Sequence, residues 1–453
     1  MQPIFVYMIK LGTDQLNAYN TIIKFLKSEN VAFYLTGSGG TGKSFLISTI
    51  ITYLKENKID YCLCAPTHKA KAVMEYYTKN SAITIHNLLS LSPKLDILDL
   101  DFRDLQFKNI KVCDSFPYKG VVICDEASMV NDYLYKSLIK LCKDFKSKII
   151  FIGDKAQLSP VKENHDSLVT KLTNNYQLNK IYRQAENNAI MPILQTLRNE
   201  PITSFKSVEG IEGSLYCYSN FKEFFNKCVE GINKSIKEEN IFEAKILAYT
   251  NVRVNKYNEY LTKFIFGDCE KYHKFEILTG YENLTYNNYS FWNSMDYIII
   301  NEPIKIDLPI PYYKKLPAYK LELYDVGKNK KASINILDKN LDLEEFYNLA
   351  KIIEEYRLKA VQATRYKGKL WEKYYDIYRS FTTPIDLIYD NRLIRKKSFD
   401  RGYTTTIHKS QGSSYNNVYI DMNDVNRCKN LKTVRQLQYV SLSRTINNAY
   451  IFQ

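Results

Sequence analysis

Three short stretches of this chain carry residue types whose spacing suits phosphate chemistry. The first, Gly37-Ser38-Gly39-Gly40-Thr41-Gly42-Lys43-Ser44, follows an apolar run at 31–35 and precedes a helix-like pattern at 45–55. In that setting the glycines let backbone N–H groups close on a β-phosphate at a helix N-terminus. The Lys43 ammonium then reaches the β- and γ-phosphates, and the Ser44 hydroxyl can ligate Mg²⁺. The second stretch is Asp125-Glu126, at the end of the β-branched run 120–124. There Asp125 can hold Mg²⁺ through water while Glu126 orients and deprotonates an attacking water. The third, Gly153-Asp154-Lys155-Ala156-Gln157, ends the apolar run 148–152 and places Gln157 to sense a γ-phosphate. ATP with Mg²⁺ is the ligand pair these residues predict.

Such residues must sit at the C-terminal ends of parallel strands, where α/β folds place their ligands. The strand pattern Tyr61-Cys62-Leu63-Cys64-Ala65 runs into Pro66-Thr67-His68-Lys69-Ala70-Lys71, whose hydroxyl, imidazole and lysines suit a sugar–phosphate backbone. Thr84-Ile85-His86-Asn87 repeats that chemistry. Residues 88–118 break the αβ rhythm and predict a small inserted hairpin, with Phe102 and Phe107 as its aromatic candidates. A second domain is expected to begin near Ala189, with a strand at 245–249 and a helix at 252–264. From 268 to 400 the chain turns aromatic and β-rich, interrupted by helical patterns at 343–356 and 369–381, which reads as a small barrel carrying a helical arm. The α/β signal returns at 402–414 and runs through Gln438-Tyr439-Val440-Ser441-Leu442-Ser443-Arg444-Thr445 to a last strand.

The 453 residues are enough for about three domains. A formal net charge of +14 favours a polyanionic partner, nucleic acid before an acidic membrane. The nine cysteines are scattered without zinc-ligand spacing and only five histidines are present, so a His/Cys metal site is not expected and reduced thiols are. No apolar run approaches the roughly 18 residues of a membrane span, and Met1-Gln2-Pro3-Ile4 does not begin a signal peptide.

Taken in order, Ala65-Pro66-Thr67-His68, Thr84-Ile85-His86, Gly153-Asp154 with Gln157-Leu158-Ser159-Pro160, Tyr182-Arg183-Gln184 and Ile407-His408-Lys409-Ser410-Gln411-Gly412 resemble the motifs of superfamily 1 helicases. Their wording is similar to the RecD and Dda branch, which moves 5′→3′ on single-stranded DNA. The resemblance implies two RecA-like parallel-sheet motor domains, with a small inserted pin hairpin and an inserted SH3-like β-barrel bearing a helical arm. The implied boundaries are 1–188 for the first motor domain, with 87–117 as the pin. Residues 189–267 and 401–453 form the second, and 268–400 the barrel. By the same resemblance Gln15 reads adenine, Arg183 and Arg444 act as arginine fingers, and Gln411 and Gly412 join the nucleotide site. Pro66, Thr67, His68, Lys69, His86, Phe102, Phe107, Asn251, Thr406, His408 and Ser410 face DNA. The implied substrates are single-stranded and forked duplex DNA, for a monomer outside the membrane, with replication or single-strand-binding proteins as further partners. A phage-encoded member would work in its bacterial host's cytoplasm. Two other activities fit the same motifs, an RNA helicase of this superfamily and an ATP-switched remodelling factor that melts little duplex.

Overall fold

The computed structural model describes residues 11–90, 113, 115–160, 163, 165–180 and 188–453. Arg183, Phe102 and Phe107, and with the two phenylalanines the body of the predicted pin, lie outside the described residues. The chain divides into two compact units at Asn220/Phe221 and Thr406/Ile407, the C-terminal segment belonging to the first. The stretch 189–267 with 401–453, expected as one domain, is shared between them.

The first unit runs α1 (Thr13–Leu26), β1 (Ala32–Gly37), α2 (Lys43–Glu56), β2 (Tyr61–Ala65), α3 (His68–Thr78), β3 (Ile83–Thr84), β4 (Val121–Cys124), α4 (Asp132–Asp144), β5 (Lys148–Gly153) and β6 (Asn175–Leu178). These six strands form one parallel sheet in the order β3-β2-β4-β5-β1-β6. The strands are continuous apolar runs because both faces are covered. Alternation then sorts the side chains: Phe33, Leu35, Leu63, Val121, Ile123, Ile150 and Ile152 pack with α1 and α2 on one face. Tyr34, Cys62, Cys64, Val122, Cys124, Ile149 and Phe151 pack with α4 on the other. The strand order puts β4 and β1 on either side of β5, so the loops after these three strands share one edge of the sheet. The N-terminal part of this unit ends with α5 (Ile190–Leu197) and β7 (Ser214–Tyr218).

The second unit begins with α6 (Phe221–Lys237), β8 (Ala244–Ala248) and α7 (Asn251–Phe266). Its body is an antiparallel half-barrel of β9 (Ile277–Gly280), β12 (Asp296–Ile299), β13 (Ile304–Pro309), β14 (Lys315–Asp325), β15 (Lys330–Leu337) and β18 (Phe399–Arg401), with β10 (Leu284–Tyr286) and β11 (Tyr289–Phe291) as a side hairpin. Between β15 and β18 come the helical arm, α8 (Leu343–Gln362) and α9 (Lys367–Arg379), and the hairpin of β16 (Leu387–Tyr389) and β17 (Arg392–Arg395). The arm is fixed by Phe346, Leu349, Ile353, Tyr374 and Ile377, which pack against Leu316 and Leu337 of the sheet. The final strand of this unit, β19 (Thr404–Thr406), pairs with β8 in parallel. The chain then returns to the first unit with β20 (Tyr415–Asp421), α10 (Leu431–Leu442) and β21 (Thr445–Phe452), where β21 lies between β20 and β7 in a second parallel arrangement. Among the described residues no helix is long and apolar enough to cross a membrane.

Candidate active site

The glycine loop between β1 and α2 takes the conformation its sequence requires. Gly40 and Gly42 have φ of 82° and 77°, a region where a Cβ is penalised, and Gly42 is the residue just before α2. No side chain caps α2 and no acidic residue occupies its first turn, so its N–H groups and the positive end of its dipole face the loop. A Cβ built on Gly39 meets nothing within 4 Å, which leaves the backbone open to close approach. These features fit a bound phosphate. Lys43 Nζ donates to the Gly37 and Ser38 carbonyls at 2.8 and 2.9 Å, which fixes the ammonium at the loop. Desolvation there pulls Lys43 below the usual lysine range, against the opposing pull of Asp154, Asp125 and Glu126.

The acidic pair lies within electrostatic reach of Lys43. Asp125 Oδ1 accepts from Glu126 N at 2.8 Å, and Asp125 Oδ2 accepts from the Tyr77 hydroxyl at 2.6 Å. Glu126 has φ of 50°, a left-handed conformation that is costly for a side chain with a Cβ. Such strain concentrates where a side chain must be aimed. Desolvation, with Asp125 beside it, pushes the Glu126 carboxyl up to about 7, while Arg444 and Lys43 pull it down. A carboxylate poised near neutrality suits a general base. Ser44 and Asp125 are the oxygen donors that would hold Mg²⁺, a hard cation that prefers such ligands.

Arg444 is 7% exposed, and its guanidinium donates to Val440 O at 3.1 Å, Ser413 O at 3.2 Å and Ser443 Oγ at 2.8 Å. Its positive charge pulls the Glu126 carboxyl down, against the desolvation that raises it. Gln157 and Gln411 are joined by a hydrogen bond of 3.4 Å, and Gly412, at φ of 76°, lies against Ala70 of α3. Beside the loop, a cavity of about 470 Å³ is lined by Ser38, Gly39 and Gly40 and, opposite them, by Arg198, Ser414 and Tyr439. Gln15 is buried beside the same loop. Its Oε1 accepts from Gly12 N, and its Nε2 donates to the Thr41 and Gly42 carbonyls, so the amide ties α1 to the loop rather than turning outward.

The residues expected to face DNA are distributed over both units. Thr67 caps α3 by accepting from Ala70 N, and Lys69 donates to the Tyr415 hydroxyl at 3.3 Å. Pro66 and His68 are half-buried next to them, and His86 is exposed on a single helical turn. Desolvation pushes the His408 imidazole down, toward its neutral form. Ser410 is fully buried and its hydroxyl donates to Ile407 O. Asn251 opens α7 in the second unit, and Thr406 ends β19 there.

Two protein families match the chain, the AAA domain family over residues 10–211 and the UvrD-like helicase C-terminal domain family over 401–451. The chain is 25% identical to the ATP-dependent DNA helicase dda of Enterobacteria phage T4, covering 96% of this chain and 97% of that protein. It is also 25% identical to the RecBCD enzyme subunit RecD of Buchnera aphidicola, covering 93% and 70% respectively. These matches support a superfamily 1 helicase of the Dda, RecD and Pif1 type. In fold it resembles the crystal structure of Pif1 helicase from Candida albicans, with a TM-score of 0.51 at 17% identity over 98% of this chain and 94% of that one. Its two parallel sheets are those of RecA-like domains.

Within this helicase chain the structure adds groups that sequence motifs alone did not single out. Asp154, 1% exposed, accepts from Ala156 N, from Arg198 Nη1 at 3.2 Å and from the Tyr439 hydroxyl, while Arg198 also donates to that hydroxyl at 3.1 Å. Arg198 follows α5 in an ordinary amphipathic pattern, and nothing in its sequence context marks it. Arg198 is partly exposed, so removing Asp154 strands a cation that solvent reaches from one side. Asp154→Ala is therefore expected to cost about 1–3 kcal/mol of stability, measured by urea unfolding against wild type. A loss below about 1 kcal/mol, the range of exposed pairs, would show that solvent satisfies Arg198.

Proposed function

We propose that this chain is an ATP-dependent 5′→3′ single-stranded DNA translocase and DNA helicase. The observation that carries the reading is the placement of the glycine loop and the acidic pair after strands β1 and β4 of one sheet, with Lys43 fixed at the loop and Arg444 acting electrostatically on Glu126. That set holds a nucleotide's phosphates, supplies a base and brings an arginine from the opposite end of the sequence. Its chemistry is in-line attack of water on a γ-phosphate. Bound Mg²⁺, held by Ser44 and Asp125, would neutralise charge on the β- and γ-phosphates. Lys43 and the α2 N-terminus bind and orient the phosphates, Glu126 takes the proton from the attacking water, and Arg444 stabilises the charge that develops.

The three-part organisation read from the sequence accompanies this proposal: motor domains 1–188 and 189–267 with 401–453, and an inserted barrel at 268–400. Each motor domain contributes to the nucleotide site and to a grip on one strand, so closure and reopening change the spacing of the two grips. Phosphate contacts carry no sequence information, so stepping is expected to be sequence-nonspecific. Opening one base-pair step costs roughly 1.4 kcal/mol on average, little enough for a wedge behind such a motor to sustain. The T4 relative and the Pif1 neighbours are named as helicases, and one Bacteroides Pif1 structure is described as bound to ssDNA. Those names support the reading.

The test compares two forked duplexes, one with a 5′ single-stranded tail and one with a 3′ tail, under ATP and Mg²⁺. Unwinding of the 5′-tailed fork alone is expected, with ATPase stimulated by DNA homopolymers. Unwinding of the 3′-tailed fork alone would reverse the polarity. Stimulation by RNA instead of DNA would favour an RNA helicase, and stimulation without unwinding would favour a remodelling factor.

A further inference from the structure

The acidic pair is held by a side chain that neither motif contains. Tyr77, in the last turn of α3, donates its hydroxyl to Asp125 Oδ2 at 2.6 Å. The Tyr77 ring packs on the sheet core alongside α2, so its position is set by apolar contacts and does not depend on the carboxylate. A phenylalanine would fill that space equally well. What the hydroxyl adds is one hydrogen bond to Asp125, whose oxygens suit Mg²⁺.

Asp125 is held from both sides, Oδ1 by Glu126 N and Oδ2 by Tyr77. A carboxylate oxygen has two lone-pair sites, so both oxygens keep acceptor capacity for a cation or its water. Partners of this kind orient the groups that touch a metal, and their loss typically lowers metal affinity about 10- to 100-fold.

We propose that Tyr77 is a positioning residue that holds Asp125 in place for a divalent cation. The inference rests on the nucleotide-hydrolysis reading above and adds a member that reading does not require.

The test uses the full chain and Tyr77→Phe, which removes only the oxygen. Mn²⁺ binding to the ADP-loaded protein is followed by electron paramagnetic resonance, and ADP binding is measured in EDTA. Mn²⁺ affinity is expected to fall about 10-fold or more, with ADP affinity in EDTA unchanged. On an Asp125→Asn background the same change should cost nothing further, because its partner is already altered. Mn²⁺ affinity within twofold of wild type, an equal loss of ADP binding in EDTA, or an undiminished further loss on the Asp125→Asn background would each overturn the role. A wild-type chain that binds no ADP would sink the hydrolysis reading itself, and Tyr77's role with it; normal binding with an indifferent Tyr77→Phe would sink only this inference.

Discussion

Arg444→Ala is expected to lower ATP turnover by about 10³- to 10⁵-fold, the range an arginine finger contributes to phosphoryl transfer, while ADP affinity changes little. The guanidinium is fixed by Val440 O, Ser413 O and Ser443 Oγ, so its charge is delivered from a set position and costs little reorganisation when the transition state forms. Steady-state ATPase assays beside fluorescent ADP titrations read the two quantities separately. An interaction made only in the transition state reduces turnover without weakening ground-state binding. Parallel losses would mean that Arg444 merely supports the pocket through its bonds to Val440 and Ser413. Arg444→Lys keeps a cation but loses the planar fork, and should recover only part of the rate.

Glu126→Gln should lower turnover by about 10²- to 10⁴-fold, the usual contribution of general acid–base catalysis, and leave ATP binding intact. The amide keeps the size of the side chain at its left-handed backbone position but cannot take a proton. Single-turnover hydrolysis with filter binding of labelled ATP gives both numbers. Turnover within a few-fold of wild type would exclude Glu126 as the base. The same substitution removes one of the two charges crowded at the acidic pair, so unchanged or slightly raised stability is expected alongside the catalytic loss.

Much of the motor was legible because its chemistry sits at strand ends. The glycine loop follows β1, the acidic pair follows β4 and Gln157 follows β5, and the sheet order makes these three strands neighbours. Continuous apolar runs identified those strands, and alternation divided them between two cores. The helical arm was likewise readable, since α8 and α9 carry amphipathic periods of full helix length. What escaped were side-chain partnerships with no period. Tyr77 is one tyrosine among 38 and lies 48 positions from Asp125, and Tyr439 lies 285 positions from Asp154. Gln15 was legible as a residue near the nucleotide loop, but not that Gly12, Thr41 and Gly42 would engage its amide. The unit division at Asn220 also left no mark in composition, because α6 continues the polar and aromatic mixture that precedes it.

Helix α3 places two kinds of chemistry on one rigid rod. Its first turn holds Lys69 beside Tyr415, and Tyr77 lies eight residues further along, about 12 Å away at the usual helical rise. A helix so short has no internal joint, so a push on its front end arrives at its far end undiminished. A shift of the helix backbone at Lys69 therefore carries Tyr77, and its bond to Asp125, along with it.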